Sequence, residues 1–127
     1  MLIDGKPTAI ELNGERFHCA LDVTMRYLGG KWKAVILWYL RKEPRRFSTL
    51  KRLIPDITEK MLSLQLRQLE KDGLVRRTVF AEVPPRVEYS LTDLGESLRP
   101  ALEEIAAWGR RQGQERGRLV EVAPSKR

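Results

Sequence analysis

The strongest constraint on this chain is a change of hydrophobic period at Gly73. Before it, Leu62, Leu66 and Leu69 recur at i, i+4 and i+7 within TEKMLSLQLRQLEKDG, which gathers them on one narrow arc of a helix. After it, LVRRTVFAEV and PRVEYSL are rich in Val, Tyr, Phe and Thr and alternate with a period near two. That is the pattern of two strands, and Pro84-Pro85 between them marks the bend of a hairpin. Thr58 is a good N-cap and Gly73 falls at the C′ position, so the spacing predicts a capped helix over 58–72 that runs directly into a hairpin.

Upstream, Ser48 is the expected N-cap of a short helix whose apolar face is Leu50, Leu53 and Ile54 and which Pro55 stops. Only Pro55-Asp56-Ile57 then separates it from the longer helix. Ahead of it, a helix over about 31–41 is apolar around much of its surface (Trp32, Val35, Ile36, Leu37, Trp38, Leu40), as a buried central helix would be. A shorter helix over residues 20–28 carries Leu21, Met25 and Leu28, and Gly29-Gly30 interrupts it. Residues 1–17 lack sustained period and read as a flexible or strand-like arm. Thr92 caps a final helix bearing Leu94, Leu98, Leu102, Ile105 and Trp108, which Pro100 is expected to bend. The polar, basic stretch from about Gly113 reads as disordered. The expected organisation is an arm over 1–18, a domain over 19–111 and a tail over 112–127.

The fold class is therefore mainly α with a small β-hairpin (α+β). Two helices joined by so short a turn make a helix-turn-helix, whose second helix lies in the major groove of DNA. The hairpin is then a wing, and residues 33–91 form a winged helix-turn-helix. Base edges in the major groove present distinct donor and acceptor patterns. The outer side of the 58–72 helix offers matching chemistry: Lys60 and Arg67 for phosphate or guanine, Ser63 as an adaptable hydrogen-bonding group, Leu64 for a thymine methyl and Thr58 at the N-terminal end. Arg46 and Ser48, at the start of the first helix of the motif, join this set, with Arg45 beside them. Arg76, Arg77 and Arg86 lie on the hairpin, Arg86 next to the Pro-Pro tip, where an arginine suits the minor groove or its flanking phosphates. Net charge is +7, and residues 41–86 hold twelve Lys/Arg against six Asp/Glu, so about +6 of it falls on this unit. Blander readings exist for each feature: a solvated basic face, Arg76 or Arg77 paired with Glu82 or Glu88, and prolines that merely stiffen a turn.

Other functions find less support. The single cysteine excludes an intramolecular disulfide framework and suits a reducing compartment. The N-terminus lacks a basic segment followed by an apolar one, and AVILWYL (34–40) is far too short to span a bilayer, so a cytoplasmic location with no membrane partner is expected. His18, the only histidine, makes a poor metal site beside one cysteine. With no Ser-His-Asp set, phosphate loop or paired carboxylates, neither an enzyme nor a cofactor is expected. The alternative is an RNA-binding or ribosome-associated basic winged-helix module, for which the hairpin offers only Phe80 and Tyr89 as stacking groups.

GGKW (29–32), the following ILWYL, RRFSTL (45–50), the LRQLEKDGLV stretch ending at Val75 and EVPPRVEYSLTDLG (82–95) closely resemble the HxlR-type winged helix-turn-helix transcriptional regulators. The resemblance covers about residues 19–109. It implies a homodimer on double-stranded DNA at a pseudo-palindromic operator, with the first and last helices pairing subunits. A partner helix would also bury the 94–108 apolar stripe, which is long for so small a core. Members often carry a cysteine at the position of Cys19, and several use it to sense oxidants or electrophiles; here Ala20 replaces the usual following proline. A thiol at a helix N-terminus, with Arg16 and His18 close in sequence, sits where a reactive thiolate is favoured. The opposing reading is a small buried hydrophobe at the dimer contact. Trp32, Trp38, Tyr39 and Trp108 lie at core spacings, with a small-molecule effector pocket between DNA-binding and dimer helices as the second reading.

Overall fold

A computed structural model describes residues 2–3 and 6–122, with side chains from residue 8 onward. Two small hairpins come first: β1 (Leu2–Ile3) with β2 (Lys6–Pro7), and β3 (Ile10–Leu12) with β4 (Glu15–Phe17). The helices α1 (Ala20–Leu28), α2 (Lys33–Leu40), α3 (Phe47–Leu53) and α4 (Glu59–Lys71) follow. The wing is β5 (Val75–Phe80) paired antiparallel with β6 (Arg86–Leu91), and α5 (Asp93–Ser97) and α6 (Arg99–Glu115) close the chain. Residues 1, 4 and 5 of the expected arm and 123–127 of the expected tail lie outside the described residues.

The core is built where the periodicity places it. Leu62, Leu66 and Leu69 of α4 are buried, as are Ile36, Leu37 and Leu40 of α2, Leu50 of α3, and Leu74 and Val75 at the start of the wing. Each such side chain contributes about 1.5–3 kcal/mol of hydrophobic stabilisation. Helix α2, apolar almost all round, runs through the middle of this cluster, with Trp32, Trp38 and Tyr39 packed half-buried against it. It begins two residues later than expected, because Gly30 stands at φ +89 and turns the chain away first.

Three expected boundaries move. Helix α3 starts at Phe47 with Arg46 at the N-cap, so Ser48 is not the cap but the second helical residue. The cause is a one-residue strand: Arg45 N–H donates to the Tyr89 carbonyl at 2.9 Å and Tyr89 N–H donates back at 2.8 Å. The chain leaves that bridge extended and enters the helix directly. Pro100 does not bend a long helix; the helix breaks at Leu98, and Pro100 falls in the first turn of α6, where its missing N–H costs little. Helix α6 then continues through Gly113 to Glu115, past the point where a disordered tail is expected to begin. Of the expected 94–108 stripe, Leu98 and Leu102 face the core, whereas Leu94, Ile105 and Trp108 are exposed.

Helix α4, the wing and α5 meet at one joint. Gly73 turns the chain at φ +79, Thr92 N–H donates to the Leu74 carbonyl at 3.1 Å, and the Thr92 hydroxyl donates to the Gly73 carbonyl. The same hydroxyl oxygen caps α5 by accepting from Gly95 N–H at 3.1 Å. Gly95 is buried against this joint: a Cβ there would overlap the Leu74 carbonyl oxygen and stand 3.2 Å from Leu91 Cδ2.

Candidate nucleic-acid interface

The turn between α3 and α4 is held from both sides. Ile57 plugs the core at 1% exposure, and its N–H donates to the Ile54 carbonyl at 3.2 Å. Lys51 Nζ donates to the Pro55 carbonyl at 3.1 Å. Thr58 then caps α4 as expected: its extended backbone leads into the helix and its Oγ1 accepts from Met61 N–H at 3.0 Å. That bond uses a lone pair and leaves the Thr58 hydroxyl proton free to donate.

With Leu62, Leu66 and Leu69 turned inward, Lys60, Leu64 and Arg67 form the opposite stripe, all exposed, with Ser63 half-buried beside them. Among the described residues neither Lys60 nor Arg67 makes an ion pair or a side-chain hydrogen bond. The same holds for Arg46, Arg52, Arg76 and Arg77. Ser48 is exposed at the start of α3. Arg45 is spent locally, its Nε donating to the Tyr39 carbonyl at 3.0 Å and its guanidinium meeting Glu43 at 3.1 Å.

The wing holds its charge differently. Arg86 is engaged by Glu82 at 3.1 Å and Glu88 at 3.0 Å, and its guanidinium lies 3.9 Å over the Phe80 ring. Its Nε is buried without a hydrogen-bond partner. The two glutamates thus pair with Arg86 rather than with Arg76 or Arg77. Phe80 is covered by Arg86 and Tyr89 is half-buried in the sheet, which removes both as open stacking platforms for single-stranded RNA.

Cys19 is partly exposed and forms the N-cap of α1 with no side-chain capping bond. The His18 N–H is taken by the Asp22 carboxylate at 2.9 Å, and Arg16 is paired with Glu11 at 2.7 Å. Further along α1, Arg26 bridges Glu15 on β4 (3.1 Å) and Asp72 at the end of α4 (3.5 Å). The hydrogen bond to Glu15, followed by the charges of Asp72 and Glu15, raises its pKa further. Nothing in the local pattern of α1 announces this three-element link. No described helix is long and apolar enough to cross a membrane.

The HxlR-like helix-turn-helix family model matches residues 27–117. The uncharacterized HTH-type transcriptional regulator YkvN of Bacillus subtilis is 53% identical over 95 residues, which is 75% of this chain and 80% of that protein. The redox regulator HypR in its oxidized form superposes with a TM-score of 0.72 at 41% identity, covering 80% of this chain and all of HypR. The reduced form of the transcriptional regulator YodB from B. subtilis gives a TM-score of 0.66 at 35% identity, covering 79% of this chain and 98% of YodB.

Proposed function

The chain belongs to the HxlR-like helix-turn-helix family of transcriptional regulators, and on that premise we propose that it binds duplex DNA as a homodimer and that Cys19 makes the binding responsive to oxidants or electrophiles. The observation that carries the DNA reading is the stripe of unpaired cations on α4. Lys60 and Arg67 flank Leu64, with Ser63 and the free Thr58 hydroxyl beside them, on a helix whose other face is locked in the core. Arg46, Ser48 and Arg76 extend this surface toward the phosphates; Arg86 serves it from within the wing.

The homodimer reading is supported by apolar side chains left open on the two terminal helices. Leu21 and Met25 on α1 are 67% and 49% exposed, and Ile105 and Trp108 on α6 are 59% and 60% exposed. Selection by the full-length protein from a randomised duplex pool is expected to enrich a two-fold site with half-sites about 34–36 Å apart, one helical turn. With six to eight phosphates neutralised per dimer, log K should fall with log salt at a slope of about −5 to −7. Failure to enrich any sequence over random duplex at moderate salt would remove the reading.

The effector reading rests on the partly exposed thiol and on the likeness to a protein described as a redox regulator. Diamide takes two electrons and two protons from a pair of thiols, so it should join the Cys19 thiols of two subunits, or one of them and a small thiol, as a disulfide. DNA affinity is expected to change on treatment in the wild type and to stay constant in Cys19→Ser. A wild-type protein whose affinity is unchanged by diamide would show that the thiol is only packed, and a Cys19→Ser protein that still responds would show that the response does not run through Cys19.

A further inference from the structure

At the tip of the wing the charged side chain is occupied and the apolar one is not. Val83 is fully exposed (101%), Val79 is 55% exposed, and Pro84 and Pro85 stand open beside them. Meanwhile Arg86 is held between Glu82 and Glu88 and lies over the Phe80 ring of the partner strand. The tip therefore presents no free cation with which to grip a phosphate. We propose that the wing meets DNA through the apolar edge Val83-Pro84-Pro85, seated in the minor groove beside the major groove occupied by α4, and that Arg86 is the positioning residue that holds this edge rigid.

The reach is right. Strand β5 begins two residues after Gly73 at the end of α4 and runs six residues to Phe80. That length carries the tip ~20 Å from the helix end, and an adjacent minor groove lies about half a helical turn, ~17 Å, along the duplex. The chemistry also fits. The minor-groove walls are sugar edges, which reward apolar contact, and proteins that bind there use apolar wedges, proline among them, against the base stack. Two prolines fix two φ angles at the tip, so little backbone freedom remains to be lost on binding. Arg86 neutralises Glu82, the carboxylate next to Val83 in the chain, which would otherwise repel the phosphates. Apolar wedges act by unstacking a base step, which stiff, narrow-grooved A-tracts resist and flexible pyrimidine–purine steps allow at low cost.

This inference rests on the DNA-binding reading above, and the experiment separates the two. The duplex enriched by the wild type is remade with either a TA step or an A-tract half a turn outside each half-site. Binding is followed by fluorescence anisotropy of the full-length protein across a salt series. Val83→Ser, at a fully exposed position, is expected to lose about tenfold in affinity on the TA flank and under about twofold on the A-tract, with an unchanged salt slope. Arg86→Lys, which keeps the charge but not the flat stack on Phe80, should weaken TA-flank binding with the slope again unchanged. Wild-type binding with no effect of Val83→Ser on either flank overturns the proposal and leaves the DNA reading intact. So does an Arg86→Ala protein whose slope falls by about one unit, because Arg86 would then be a phosphate contact. If the wild type enriches no duplex, the DNA reading fails and this inference falls with it.

Discussion

Gly95→Ala is expected to destabilise the protein by about 3 kcal/mol and to lower its melting temperature by roughly 10 °C. Two effects of opposite sign compete at this position. Alanine is the better helix former and would contribute up to ~1 kcal/mol within α5. The added Cβ, however, would overlap the carbonyl oxygen of Leu74, and that oxygen is fixed by the Thr92 N–H at 3.1 Å. A flexible side-chain end can swing aside, but a bonded backbone carbonyl cannot move without its strand. The steric term therefore wins, and the displaced element is the joint from which both the wing and α4 depart. DNA affinity should fall along with stability. Gly109→Ala is the control with the reverse sign: a Cβ there meets nothing within 4 Å, so only the helix propensity changes. Thermal melts of the two variants check both signs, and a Gly95→Ala protein as stable as wild type would mean that α5 can lift off Leu74 freely.

Features set by neighbours in the chain were the legible ones. The Leu62–Leu66–Leu69 stripe, the Thr58 cap and the Gly73 terminus each depend on residues within a turn of one another, and all three appear in the structure. The β3–β4 hairpin is passed over when residues 1–17 are read as a flexible or strand-like arm, although Asn13-Gly14 carries a local signal for it: two residues suited to positive φ, here +52 and +80, between Ile10/Leu12 and Phe17. Features set by distant partners were not legible. The start of α3 depends on a strand bridge between Arg45 and Tyr89, 44 residues apart, which no periodicity in RRFSTL reveals. Pro100 suits either a kink or a helix start. The choice fell to the break at Leu98, next to the packing of Gly95 on Leu74.

At the candidate site the division is similar. That Lys60, Leu64 and Arg67 share the face opposite the leucines follows from helix geometry alone. Whether an arginine on that surface is free does not, because the answer lies in cross-strand register. Arg86 and Glu88 share a sheet face by strand period, yet Phe80 becomes the platform for the guanidinium only because the hairpin registers Phe80 opposite Arg86. The wing arginine that reads as a free cation in the sequence is thus ion-paired and stacked in the fold, and the unpaired cations of the described wing are Arg76 and Arg77 nearer its base.

Removal of Arg67 is expected to give the largest loss in DNA recognition, about ten- to a hundredfold on the selected site, corresponding to the 1–3 kcal/mol of a bidentate base contact. Arg67 stands at i+7 from Lys60 and i+3 from Leu64, at the opposite end of the outer stripe from Lys60, and its guanidinium is exposed and unpaired. A planar fork in that place matches the O6 and N7 acceptors of guanine, which the point charge of a lysine does not. Arg67→Lys should therefore recover little of the loss, and discrimination should relax at one base pair in each half-site while binding to random duplex changes far less. Lys60→Ala supplies the contrast. Nearer the N-terminal end of α4, Lys60 suits a phosphate, so its loss should weaken specific and random duplex alike and reduce the salt slope by about one unit per subunit. Titration of both variants against the selected and the random duplex at several salt concentrations separates the two roles. Arg67→Ala behaving like Lys60→Ala in that comparison would assign Arg67 to the phosphates and move base reading to Ser63, Leu64 and the Thr58 end of the helix.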